Sequence, residues 1–249
     1  MSALRIEADG PLLRITMARP DRRNAFDAAL IDELRAAFAD VGDVRAVVLA
    51  GDGPSFSAGA DVEWMRSSID LSYDGNVADA LRLRAMLEAI DGCPAPVVAR
   101  VQGHALGGGC GLVACCDIAV AEPTAQFGFS EVKLGIVPAV ISPFARAKIG
   151  ESAARRYFVT GERFGADVAL RIGLVHEVAE DLDAAVERIV AELLSAGPRA
   201  ARSAKQLARR PHSADETARL IAEHRTSEEG QDGLRAFLEK RVPRWRENA

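Results

Sequence analysis

Three short segments of this chain hold residue types that can do chemistry together. The stretch 101–117, VQGHALGGGCGLVACCD, sets Gly107, Gly108 and Gly109 between a strand-like apolar run and a helix-like one. Bare backbone N–H groups at such a helix start can approach a reacting oxygen closely, and the helix dipole favours negative charge there. Taken alone, the same glycines read equally well as a turn for tight packing. The stretch 56–64, FSAGADVEW, follows a strand-like AVVLAG run ending at Gly51. Its Ala58, Gly59 and Ala60 leave N–H groups uncovered, and Asp61 suits the cap of a following helical turn. The third stretch, 125–138, AQFGFSEVKLGIVP, places Glu131 among Phe127, Phe129, Val132 and Leu134. A carboxylate in apolar surroundings is costly to ionise, which raises its proton affinity toward general-base chemistry. A glutamate in an isolated loop is more commonly an exposed partner in a salt bridge.

The elements that must position these residues follow from periodicity. Residues 4–7 and 12–17 flank Asp9-Gly10-Pro11 and read as a hairpin. Phe26, Leu30, Leu34 and Phe38 recur at helical spacing behind the cap candidates Asn24 and Asp27. Residues 44–50 and 96–101 are strand-like, with a helical pattern around 80–90 between them. Such alternation indicates an α/β fold. No repeat or linker divides the chain, and after about Gly197 the pattern turns wholly helical. The expected organisation is a core over 1–196 and a helical region over 197–249.

The three segments, in this order, resemble the enoyl-CoA hydratase/isomerase, or crotonase, family. The resemblance runs almost end to end. It includes RPDRRNAFD near the start, FSAGAD, HALGGGCG, FGFSEVKLGIVP, TGERFGADVALRIGLVHEV and the C-terminal GLRAFLEKRVPRW. It implies a spiral ββα core with a C-terminal trimerisation region, and hence a homo-trimer or hexamer. It implies that the N–H groups of Ala60 and Gly108 bind the thioester oxygen of an acyl-CoA and that Glu131 moves protons. Arg23, Ala25, Ala58, Asp61 and Gly107 are then expected to contact the substrate, with Phe237 and Lys240 reaching a neighbouring subunit's coenzyme A. Coenzyme A enters as part of the substrate, so no resident cofactor is expected. The chemistry has a plain physical reason: adding water to an α,β-unsaturated thioester, or moving its double bond, passes through an enolate whose charge gathers on the thioester oxygen. Each of two preorganised donors is worth about 3 to 4 kcal/mol there.

The chain departs from the hydratase pattern at one position. Typical hydratases carry a second glutamate two residues after the third glycine, where this chain has Gly111. One carboxylate still suffices for hydration, and a Δ3-to-Δ2 enoyl-CoA isomerase needs nothing more. The wording of the stretch 129–164 resembles the branch of methylglutaconyl-CoA and isohexenylglutaconyl-CoA hydratases. A substrate carboxylate in such a case would find a partner in Lys133 or Arg146, although a solvated surface charge is the commoner role for either. Trp64, Met65 and Phe129 are expected along the acyl tail, and His104 is a further candidate for that wall.

Composition agrees. The 249 residues, 49% hydrophobic, suffice for one substantial core. No run of about 18 apolar residues occurs and the N-terminus lacks signal-peptide character, so a cytoplasmic protein without a membrane partner is expected. Cys93, Cys110, Cys115 and Cys116 lack zinc-site spacing and read as free thiols, and no metal is expected. The glycine run fails the dinucleotide pattern and no phosphate-binding GK[ST] occurs. A net charge of −5 argues against a nucleic-acid partner. A non-catalytic acyl-CoA binder is the remaining alternative, and Glu131 discriminates it.

Overall fold

Strand periodicity explains the centre of the molecule. The computed structural model describes residues 2–247, and its elements run β1 (Leu4–Asp9), β2 (Leu12–Met17), α1 (Ala28–Ala39), β3 (Ala46–Gly51), α2 (Val62–Ser68), α3 (Tyr73–Asp91), β4 (Val97–Val101), β5 (His104–Leu106), α4 (Gly108–Cys115), β6 (Ile118–Ala121), β7 (Gln126–Gly128), α5 (Ser142–Thr160), β8 (Arg163–Gly165), α6 (Ala166–Arg171), β9 (Glu177–Val178) and α7 (Leu182–Ser195). Four helices follow: α8 (Pro198–Leu207), α9 (Ala214–Thr226), α10 (Glu228–Glu239) and α11 (Arg244–Glu247). The fold is α/β, and the stretch after Gly197 is helical as expected.

Successive side chains of a strand point to opposite faces, so a strand buried on both sides is apolar throughout. β3 shows this directly. Its Val47 and Leu49 enter the main core with Ile15, Phe26, Leu30 and Met86. Its Ala46 and Val48 face the other way, against Leu182, Ala185, Val186 and Val190 of α7. The larger sheet has the order β1-β2-β3-β4-β6-β9, and a smaller sheet the order β5-β7-β8. β1 and β2 form the expected antiparallel hairpin, whereas β2, β3, β4, β6 and β9 pair in parallel. Parallel neighbours need crossover connections, which α1, α3 and α4 help to supply.

Of the two cap candidates for α1 the chain uses Asp27, which puts Phe26 outside the helix it was expected to join, and α3 starts earlier than expected. The Asp27 carboxylate accepts from the Leu30 N–H at 3.0 Å, so α1 starts after Asp27 and Phe26 stands outside it. α3 begins at Tyr73, well before residue 80, because the Ser72 hydroxyl accepts from the Gly75 N–H at 3.1 Å and starts the helix there. Its first turns expose Tyr73, Val77 and Leu81, which hides the amphipathic period. The four cysteines are buried and free.

One ion pair fastens the helical C-terminal stretch to the core. The Lys205 ammonium on α8 lies 2.7 Å from the Asp117 carboxylate and donates to the Ala95 carbonyl at 3.1 Å. The same Asp117 oxygen accepts from the Val97 N–H at the start of β4, at 2.8 Å. The Lys205 side chain is only 4% exposed, so its charge depends on these partners. Glu229 of α10 also accepts from the Arg199 and Ala200 N–H groups at the start of α8, each at 2.9 Å. Removing one partner of a buried pair leaves the other uncompensated and costs about 3 kcal/mol. Lys205→Met should therefore lower the thermal unfolding midpoint by several degrees. Adding Asp117→Asn to it should cost less than the sum of the two single changes, as a calorimetric double-mutant cycle will read.

Candidate active site

Phe26, freed from α1, organises the first wall. Its N–H donates to the Gly59 carbonyl at 2.8 Å, and its carbonyl accepts from the Asp61 N–H at 3.0 Å. These two bonds make a parallel bridge between Phe26 and Ala60. In that geometry the neighbours of Ala60 bond to Phe26, while the N–H of Ala60 points away from it. Among the described residues it donates to no acceptor. Asn24 holds the segment from below: its buried amide donates to the Asp52 and Ser55 carbonyls, both at 2.8 Å, and its carbonyl accepts from the Ser57 hydroxyl at 2.9 Å.

The glycine run forms the second wall. Gly107, at φ 52 and ψ −120, is the N-cap of α4 and has no side chain to cap it. The Gly108 N–H consequently has no intrahelical partner, as every first-turn N–H lacks one. A Cβ on Gly108 would stand 2.2 Å from the Phe26 ring, so only glycine lets the ring and the helix meet. The two walls are tied by a second parallel bridge, Ser57 to Ala105. Its bonds run from the Ser57 N–H to the His104 carbonyl at 2.9 Å and from the Leu106 N–H to the Ser57 carbonyl at 3.1 Å.

Glu131 completes the group. It lies on a 3-10 turn, Ser130–Leu134, closed by Gly135 in the left-handed region. One carboxylate oxygen lies 3.2 Å from where a Cβ on Gly107 would be, and the other is buried without a hydrogen-bond partner. Burial pushes the carboxyl above the ordinary glutamate value. The turn is anchored by aromatic packing just before it. Phe129 meets Phe158 edge-on at 4.9 Å, and Phe164 lies 4.3 Å from Tyr157.

Ala58, Ala60, Gly107, Gly108 and Glu131 line a single cavity of about 320 Å³, together with Trp64 and Met65. The other sequence candidates lie elsewhere. Phe129 is fully buried in the core, correcting its expected place on the acyl wall. His104 does not line the cavity either, and its Nδ1 lies 3.4 Å from the Ser55 hydroxyl. The Asp61 carboxylate is committed inside the protein: it caps α2 through the Glu63 N–H at 2.9 Å and pairs with Arg22 at 2.9 Å and Arg19 at 3.4 Å. Arg23 is exposed and Ala25 buried beside it, and the Arg23 carbonyl accepts from the Ala58 N–H. Phe237 is 81% exposed on α10, followed by Lys240 past its end, and neither reaches this cavity.

Sequence reasoning missed Phe26, Asp79, Leu83, Val137 and Ile141 on the cavity wall. Phe26 carried a partial signal, since Asp27 was one of two cap candidates of equal rank and, used as the cap, leaves Phe26 outside the helix. Ile141 carried none. Its side chain fills the space beside Gly111, where an added Cβ would lie 2.5 Å from the Ile141 Cγ2.

Comparison with known proteins agrees with this geometry. The enoyl-CoA hydratase/isomerase family model matches residues 7–248. The cyclohexa-1,5-dienecarbonyl-CoA hydratase of Thauera aromatica is 32% identical over 254 residues, covering 96% of this chain and 95% of the relative. The crystal structure of an enoyl-CoA hydratase from Shewanella pealeana superposes with a TM-score of 0.93 at 40% identity, over 98% of this chain and 96% of that one. AtuE of Pseudomonas aeruginosa superposes with a TM-score of 0.94 at 37% identity, over 98% and 99% of the two chains. The cavity gathers two uncommitted backbone donors and one buried carboxylate, and the family match spans nearly the whole chain: the chain belongs to the enoyl-CoA hydratase/isomerase family.

Proposed function

We propose that the protein adds water across the carbon–carbon double bond of an enoyl-CoA, with Glu131 as its single acid–base residue. One observation carries the reading: a buried carboxylate oxygen without a partner and the two uncommitted N–H groups of Ala60 and Gly108 share one cavity. Glu131 takes a proton from water while the water oxygen bonds to the β carbon. The π electrons pass to the thioester oxygen, where both N–H groups stabilise the enolate. Glu131 then returns the proton to the α carbon, so one water is added in total. The relatives named as hydratases support this reading.

A second reading is double-bond isomerisation, favoured by the filled space at Gly111. There Glu131 carries one proton between the α and γ carbons and no water enters. Mass and double-bond position of the product separate the two reactions. A glutaconyl-type substrate is the less favoured acyl group. Lys133 and Arg146 are exposed and off the cavity, and Arg146 pairs with Glu151 at 3.2 Å. The cavity wall has Glu131 and Asp79 but no Lys or Arg, so a substrate carboxylate would enter among like charges.

Glu131→Gln should lower turnover of crotonyl-CoA by about 100- to 10,000-fold with little change in acyl-CoA affinity. Because the base acts ionised, kcat/KM should fall as pH drops through the Glu131 pKa, which burial places above the usual 4.5. The sign for stability is opposite. A carboxyl with a raised folded-state pKa loses stability as pH rises through that value, so Glu131→Gln should melt at or above the wild-type temperature at neutral pH. Wild-type turnover in the variant would exclude Glu131 as the base, whereas acyl-CoA binding with no turnover in the wild type would support a non-catalytic binder.

Gly111→Glu cannot simply restore a second carboxylate, because Ile141 occupies the space. The single change should lower both the melting temperature and turnover on every acyl group. Gly111→Glu with Ile141→Ala should recover the melting temperature, and failure to do so would place the obstruction elsewhere.

For assembly, we propose that the helices after Ser213 build a homo-oligomer, a trimer or dimer of trimers. Leu234, Phe237 and Leu238 expose apolar surface along α10, and the exposed Lys240 that follows has no ion-pair partner among the described residues and can meet a neighbour's coenzyme A phosphate. Truncation before Ser213 should yield a smaller species by light scattering with weakened CoA binding. A fully active truncated monomer would refute this.

A further inference from the structure

The polar residues of the cavity beyond Glu131 and its neighbour Ser130 are Ser68, Asn76 and Asp79, on α2 and α3. Their donors are already spent. The Ser68 hydroxyl donates to the Met65 carbonyl at 2.7 Å, and the Asn76 amide donates to the Leu71 and Ser72 carbonyls, both at 3.1 Å. The Trp64 indole N–H donates to Asp79 Oδ1 at 3.3 Å, and Oδ2 has no donor among the described residues. This part of the wall therefore offers acceptors only. A ligand group placed there has to bring its own proton, and a group that is itself an acceptor or an anion is repelled.

We propose that Asp79 determines acyl specificity: it favours an acyl group carrying a hydrogen-bond donor such as a hydroxyl, and it rejects one ending in a carboxylate. The inference rests on the enoyl-CoA reading and names its substrate class. Position supports it. Phe26, whose ring adjoins Gly108, packs against Trp64 with centroids 6.2 Å apart, and Trp64 in turn holds Asp79. Asp79 is thus linked to the thioester-binding wall through two rings, on a different element from Glu131. Two carboxylates in one largely apolar cavity make a third anion costly, while a neutral hydroxyl gains an ionic acceptor.

The test uses saturated acyl-CoA thioesters, which bind without reacting, matched in length and ending in methyl, hydroxyl or carboxylate, titrated calorimetrically into the full-length protein. Wild type should bind the hydroxyl form at least as tightly as the methyl form, and the carboxylate form about tenfold or more weakly. Asp79→Asn and Asp79→Ala should each raise carboxylate affinity relative to methyl by about tenfold, and Asp79→Ala should also remove the hydroxyl preference. The methyl form in each titration reports on an intact cavity. Unchanged affinity ratios in both variants across a series of chain lengths would overturn the proposal. Turnover of crotonyl-CoA by the wild type is followed separately: a protein with the expected ratios and no turnover refutes the hydratase reading and leaves Asp79 as the specificity residue.

Discussion

The double engagement of Phe26 is the constraint from which the site follows. Its backbone brackets Ala60 through Gly59 and Asp61, and its ring ends against Gly108. One buried residue, 1% exposed, therefore sets the position of both donors relative to each other. A pair of N–H groups is useful to a developing oxyanion only if the groups converge before the reaction begins, since reorganisation during it would consume the benefit. The bridge from Ser57 to Ala105 and the Asn24 hydrogen bonds serve the same end by fixing the two loops to each other and to the end of β3.

This arrangement makes severe demands on residue size. Gly59, Gly108 and Gly109 would each place a Cβ within 2.5 Å of a backbone oxygen or the Phe26 ring. Gly107 adds a backbone requirement, since its φ of 52 and ψ of −120 suit a residue without a side chain. Close approach of chain to chain leaves no side chain to cap α4, and the uncapped N–H groups are what the cavity offers a ligand. A local liability of the helix is thus the source of its binding capacity. Glu131 shows the same relation: a carboxyl buried without a partner weakens the fold once ionised, and that cost makes it a stronger base.

Around these groups the cavity is asymmetric. Leu83, Val137 and Ile141 supply apolar wall, and the polar part lies on α2 and α3, elements outside the glycine run. The space that a second glutamate would need is packed by a β-branched side chain, which cannot swing aside cheaply. Gly111 and Ile141 therefore act as a unit, and the absence of a second carboxylate at that position belongs to the packing of the whole wall.

Much of this was legible in the sequence. β3 declared itself by an unbroken apolar run, because a strand buried on both faces has no polar alternation to hide it, and β4 by an apolar run interrupted only at Arg100. The glycine run, FSAGAD and Glu131 could be read as one site through their resemblance to the crotonase family, since small residues and a carboxylate in apolar company suit the chemistry but each segment alone reads equally well as packing or surface. The early start of α3 was hidden because its first turns expose Tyr73, Val77 and Leu81. Phe129 was misplaced because an aromatic residue beside a site can face either the core or the cavity, and here it lies inward, edge-on to Phe158. Residue types and local spacing thus determined which groups could act. Which of them meet was decided by tertiary structure alone: the joining of Ala60 to Gly108 through Phe26, the filling of the Gly111 space by Ile141 and the turning of Asp79 toward Trp64 all depend on contacts between segments distant in the chain, and no local pattern encodes a distance.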